Sequence, residues 1–223
     1  MLQGRIEITG GSAFLKPDVS RAVVYLASHP ALDQVPLDSK RPEIIQKNKT
    51  FVPDLLVVPR GTEVEFPNWD PFTHNVFSRS RAASFDLDRY PQDQSKRYKF
   101  NEVGVVQIFC NIHPQMKAVV LVVPNRFFAR ADAQGRFQLT DLPLGDFELV
   151  VWHERCEEQR QSVRMAAGRP TEISVTLRDG SSRGSDADAR RRQTYDGVER
   201  GLGIKRERLN LPVVEESHPA PHR

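Results

Sequence analysis

Short segments with alternating or continuous apolar positions, separated by turn residues, recur along this chain, and no stretch predicts a helix long enough to anchor an α/β fold. Gly4 to Thr9 predicts a first strand, and Arg21-Ala22-Val23-Val24-Tyr25-Leu26-Ala27 a second that is richer in β-formers. Prolines and aspartates between His29 and Pro42 predict a loop. Further strands are expected at Glu43 to Gln46, Phe51 to Val58, Val64 to Phe66, Tyr98 to Phe100 and Val105 to Phe109, with Phe72 to Phe77 following the Pro67-Asn68-Trp69-Asp70-Pro71 stop. Ser78 to Ser95 is polar and reads as a long excursion with a short ordered piece around Ala83 to Leu87. Ala118 to Val123 is an unbroken apolar run, the pattern of a strand covered on both faces.

A second rhythm begins near Pro124. Asp132-Ala133-Gln134-Gly135 and Leu142-Pro143-Leu144-Gly145 are turns between the alternating segments Phe127 to Arg130, Arg136 to Leu139 and Phe147 to Trp152. Val163 to Met165 and Thr171 to Leu177 complete a small all-β unit. From Arg178 the composition shifts to Gly, Ser, Asp and Arg, which predicts a disordered or loosely helical tail. The expected fold class is therefore all-β: one β-sandwich over residues 1–123, a smaller one over 124–178, and a tail over 179–223.

Composition narrows the function classes. The chain has 223 residues and a net charge of +3, too small and too evenly spread an excess to indicate nucleic acid. No apolar run approaches the roughly 18 residues of a membrane-spanning helix. The first eight residues lack the apolar core of a signal peptide. There are only two cysteines, Cys110 and Cys156, which make no disulfide framework.

The chemistry concentrates in Phe109-Cys110-Asn111-Ile112-His113-Pro114-Gln115-Met116. A thiol, an imidazole and a thioether follow one another at steps of three, and a second imidazole, His74, lies upstream. One Cys, two His and a weak Met are the donors of a blue-copper centre, because Cu(I) favours soft sulfur and Cu(II) favours nitrogen. Cys110 and His113 are close enough for a tight loop to bring both to one ion. Met116 can cap the axial position, and Pro114 stiffens the loop. Zinc suits Cys and His as well, but methionine is a poor zinc ligand, so the set favours copper.

These segments resemble the cupredoxins. The resemblance is carried by Gly61 to Asp70, His74-Asn75-Val76-Phe77-Ser78, Phe85-Asp86-Leu87 and Gly104 to Met116, and the Cys-x2-His-x2-Met spacing is similar to that of amicyanin and pseudoazurin. It implies a Greek-key β-sandwich, with His74, Cys110, His113 and Met116 as copper ligands. It also implies that Asn75 ties the two ligand-bearing loops together. Asp132 to His153 looks like a carboxypeptidase-regulatory, transthyretin-like module. The pairing of the two resembles bacterial proteins described as plastocyanin-like or methylamine-utilisation proteins, which implies a periplasmic electron carrier serving redox-protein partners.

Other residues carry competing readings. Trp69 either packs or shields the site from water. His153 is expected as a structural residue, with an accessory metal ligand as the alternative. Cys156 reads as a half-buried thiol. A multicopper enzyme would need further histidines in clusters, and of the six present those beyond His74 and His113 are scattered singly. The alternatives to an electron carrier are a copper chaperone or sensor, and a structural sandwich with a vestigial loop.

Overall fold

The alternating segments do form strands, in a computed structural model that describes residues 1–11, 16–37 and 41–180. Two open the chain, β1 (Leu2–Thr9) and β2 (Val23–Leu26), with single helical turns at Val19–Arg21 and Pro30–Asp33 on either side of β2. The middle of the chain holds β3 (Ile45–Lys47), β4 (Thr50–Val52), β5 (Leu55–Pro59), β6 (Thr62–Pro67), β7 (His74–Ser80), β8 (Ala83–Tyr90), β9 (Ser95–Phe100), β10 (Gly104–Phe109) and β11 (Lys117–Val123). Then come β12 (Phe128–Arg130), β13 (Arg136–Leu139), β14 (Gly145–Trp152), β15 (Gln159–Met165) and β16 (Thr171–Arg178). Apart from Asp179 and Gly180, the expected tail lies outside the described residues.

The middle strands build one sandwich. A five-stranded sheet, in the order β5-β11-β10-β7-β8, packs against the β6-β9 and β3-β4 pairs. Between them lies a core that includes Val64, Phe66, Val76, Phe85, Phe100, Val106, Ile108, Val120 and Val122. The remaining strands build a second sandwich from the sheets β13-β1-β16 and β12-β2-β14-β15, around Leu2, Ile6, Val24, Leu26, Phe137, Leu149, Val151 and Leu177.

Strand pairing thus moves the N-terminal strands out of the first module, where the sequence placed them. β1 runs parallel to β16 in the register Leu2↔Thr171 to Thr9↔Arg178, and β2 lies between β12 and β14. Gly4 shows how close the fit is. A Cβ there would stand 2.2 Å from the Ile173 carbonyl oxygen and 2.8 Å from the ring of Phe137, so only glycine lets β1 settle against β16.

The second departure from expectation is β8. The polar stretch after Ser78 forms an eight-residue strand paired with β7 across a tight turn at 81–82. Ala83 and Phe85 point into the core, while Ser84 and Asp86 face solvent. Its polar face conceals the strand in the sequence.

Period two also explains how the sandwiches join. In β2, Val24 and Leu26 enter the second core while Val23 and Tyr25 face the other way. In β14, Leu149 and Val151 face that core while Val150 and Trp152 face out of it. In β11, Val120 and Val122 enter the first core while Leu121 and Val123 face the seam. Together with Leu55, the outward residues form a third buried apolar cluster between the two inner sheets. Four sheet layers are therefore stacked, and β2 and β11 are covered on both faces, as the apolar run of β11 predicts. Arg21 braces the edge of the seam, reaching Asp54 at 2.9 Å and Glu154 at 2.7 Å.

Candidate metal centre

β10 ends at Phe109 and β11 starts at Lys117, so Cys110 to Met116 is the loop that joins two paired strands. Its backbone closes on itself. The Met116 N–H donates to the His113 carbonyl at 2.9 Å, and the Cys110 N–H donates to the Met116 carbonyl at 3.3 Å. His74 is the first residue of β7, the strand beside β10 in the sheet. The sheet therefore delivers the upstream histidine to the loop.

Three donors meet. Cys110 Sγ lies 3.9 Å from His74 Nδ1, and His113 Nδ1 lies 3.0 Å from the same atom. All three donor atoms lie within 4.8 Å of one another. A first-row metal ion bonded at about 2.0 Å to imidazole nitrogen and 2.3 Å to thiolate sulfur needs donor–donor edges of roughly 3–4 Å. The residues present fit such an ion. Met116 is fully buried, in the same core cluster as Cys110 and Ile108.

Burial differs among the donors. His74, Cys110 and Met116 are closed off from water, whereas His113 is only half-buried, its ring beside that of Phe72 at a centroid distance of 6.5 Å. Burial and the neighbouring His74 and Lys49 push the His113 imidazole below its ordinary pKa, which favours the neutral ring a metal requires. Pro114 is exposed at the loop's outer turn.

Asn75 braces the site. Its side-chain oxygen accepts from the Asn111 N–H at 2.9 Å, and its amide nitrogen donates to Asp86 at 3.4 Å. It thereby links β7 to the Cys110 loop. Asn75→Ala is expected to lower unfolding stability by about 1 kcal/mol, the net worth of one such bond. Urea unfolding checks this, and an unchanged midpoint would remove Asn75 from the brace.

One residue that sequence reasoning passed over stands against the site. Asp70 is buried, and its carboxylate lies 2.9 Å from His74 Nε2. Burial acts to raise its pKa, but the Lys49 N–H, His74 and the Asn48 N–H outweigh it and hold the carboxyl below the usual range. The only sequence signal is an acid four residues before the histidine, in a loop with no periodicity to say which way it faces.

Trp69 does not seal the centre. It is 50% exposed, with Lys47 Nζ 5.5 Å from its ring, and Phe72 is the aromatic residue beside His113. His153 lies at the end of β14 in the second sandwich, and both of its ring nitrogens are engaged. Nε2 donates to the Asp18 carbonyl at 3.2 Å, and Nδ1 accepts from the Arg155 N–H at 3.1 Å. It caps a turn, with Cys156 Sγ 3.5 Å from Nδ1. Burial pushes the Cys156 thiol up to about 11, so it stays protonated.

No protein-family model and no curated protein sequence matches the chain. Among solved structures, amicyanin from Paracoccus versutus (Thiobacillus versutus) is similar at 23% identity over 44% of this chain and 96% of its own, with a TM-score of 0.35. A purple cupredoxin from Nitrosopumilus maritimus is similar at 25% identity over 36% of this chain and 98% of its own, TM-score 0.33. A Cu-containing nitrite reductase from Thermus scotoductus is similar at 21% identity over 52% of this chain and 28% of its own, TM-score 0.36.

Proposed function

We propose that this chain is a mononuclear type 1 copper protein that carries single electrons between redox-protein partners in the periplasm. The convergence of the donor atoms of His74, Cys110 and His113 within 4.8 Å, with Met116 buried in the same core as Cys110, is the observation that carries this reading. Copper bound there supplies a reversible one-electron couple. One electron is accepted from a donor protein and passed to an acceptor, and no group is transferred.

The protein's own part is to hold the donors still. The Cys110–Met116 backbone closure, the Asn75–Asn111 bond and the Asp70–His74 contact fix the ligand-bearing loops before any metal arrives. Little then has to rearrange between oxidation states, which favours fast transfer. His113, the half-buried ligand, offers the shortest way to a partner. A carrier is favoured over a multicopper enzyme because His153 is spent on a turn and His29 Nδ1 accepts from the Ala31 N–H. Among the described residues, His74, Cys110 and His113 form the one group of donors able to hold a metal. For the second sandwich we propose a carboxypeptidase-regulatory, transthyretin-like module, supported by the turns at Asp132–Gly135 and Leu142–Gly145.

Absorption and EPR spectra of the copper-loaded protein test the assignment. A strong Cu(II)–thiolate charge-transfer band at about 600 nm is expected. A colourless protein that takes up only Cu(I) would favour the chaperone, and failure to bind copper would favour the structural sandwich. Met116→Leu is expected to retain copper and raise its reduction potential, since Cu(II) loses more than Cu(I) when an axial donor is removed. A redox titration with an unchanged potential would take Met116 out of the site.

A further inference from the structure

We propose that Asp70, clamped by the tip of the β3–β4 hairpin, is a positioning residue that orients His74 and lowers the reduction potential of the centre. The inference rests on the copper assignment above and adds a carboxylate and a hairpin to the site. The hairpin supplies no ligand, and nothing in its sequence marks it as part of a metal centre.

The carboxylate is built into place. Oδ1 accepts from the Asn48 N–H at 2.6 Å, and Oδ2 accepts from the Lys49 N–H at 2.7 Å. Oδ2 also lies 2.9 Å from His74 Nε2. The loop behind it is braced as well. The Asp70 N–H donates to Asn68 Oδ1 at 3.0 Å, and Asn68 Nδ2 donates to the carbonyls of Phe72 and Tyr90 at 2.8 and 3.1 Å. Asp70 is only 4% exposed and Asn68 is fully buried, so neither exchanges these partners for water.

The hairpin tip is strained where it grips the carboxylate. Asn48 and Lys49 both occupy the left-handed region, at φ 55° and 54°. Asparagine tolerates that conformation, but a lysine there costs on the order of 1 kcal/mol. Such positions persist when the surroundings over-determine them. Here both left-handed residues turn their N–H groups onto one carboxylate. A two-residue hairpin turn of this kind usually takes glycine for ease of folding; this one keeps side chains, and that of Lys49 lies with Nζ 4.7 Å from the ring of Phe72, the neighbour of His113.

Two consequences follow for His74. An ionised carboxylate only accepts hydrogen bonds, so His74 must carry its proton on Nε2. In the neutral ring Nδ1, the atom facing Cys110 and His113, then keeps its lone pair on the side where the three donors meet. A carboxylate behind a ligating imidazole also makes the ring a stronger donor, and removing such partners typically costs 10–100-fold in metal affinity. The added negative charge favours Cu(II) over Cu(I), so the potential falls.

The test uses the full chain loaded with copper. Asp70→Asn keeps the shape, removes the charge and sets an NH2 donor against N–H donors of the hairpin. It is expected to keep the thiolate band, since Cys110 is untouched, while weakening Cu(II) at least tenfold more than Cu(I). Tenfold in that ratio is a rise of about 59 mV in a spectroelectrochemical titration. A folded Asp70→Asn protein with an unchanged potential would overturn the proposal. A second measurement needs no variant: 15N NMR of the copper-free wild type is expected to show His74 protonated at Nε2 and bare at Nδ1. The opposite tautomer would overturn the proposal. If the wild type shows no blue copper spectrum, the carrier assignment fails, and the tautomer still decides whether Asp70 orients the ring.

Discussion

Cys110→Ser is expected to erase the absorption at about 600 nm from the copper-loaded protein while leaving both sandwiches folded. The band requires a metal–thiolate bond, and a serine hydroxyl does not ionise to replace it. Sγ of Cys110 is the soft donor in a trio whose other members are imidazoles 3.9 Å away or nearby. The cost to the fold is bounded. Cys110 is buried at the rim of a core otherwise built from residues such as Val76, Val106, Ile108 and Val120. Burying one hydroxyl there costs about 1–3 kcal/mol on the scale of protein mutational data, and a bond to His74 offsets part of it. Far-ultraviolet circular dichroism should therefore match the wild type while the visible spectrum is lost. A variant that keeps the band would show that Cys110 is not the thiolate ligand.

Some of this centre is legible in the sequence because its signals are local. Cys110, His113 and Met116 fall within seven consecutive residues at steps of three, and the strand after them is an apolar run. His74 is legible through its neighbours Asn75 to Ser78. Asp70 is not, because its role depends on N–H groups 22 and 21 residues earlier in the chain, presented by a left-handed turn. The same limit hides the home of β1 and β2. Their alternation marks them as strands but carries nothing about partners such as Thr171 or Leu149, which follow far along the chain. β8 is obscured for a different reason. Only one of its faces is apolar, and Ser84, Asp86 and Asp88 on the other dominate the composition of the segment.

Leu121→Ala is expected to destabilise the whole described body, not the first sandwich alone. Leu121 is 2% exposed and points away from the core of the first sandwich into the seam with Val23, Tyr25, Leu55, Val150 and Trp152. Truncating a buried leucine costs about 2–5 kcal/mol, depending on how far the cavity collapses. Because β2 and β14 supply the seam with one face and the second core with the other, a cavity there loosens both sandwiches together. The two tryptophans give two separate probes: Trp152 lies in the seam, and Trp69 lies in the first sandwich with its ring by Lys47. Single-tryptophan versions of the protein, each unfolded in urea, should share one midpoint in the wild type, as a single cooperative transition requires. In Leu121→Ala both midpoints should fall together while the spectrum of the copper-loaded folded protein is preserved, since Val120 and Val122 still face the core of the first sandwich. Separate midpoints, or a loss under about 0.5 kcal/mol of the kind seen for surface substitutions, would show that the seam is a loose contact and that the second sandwich is not built onto the first.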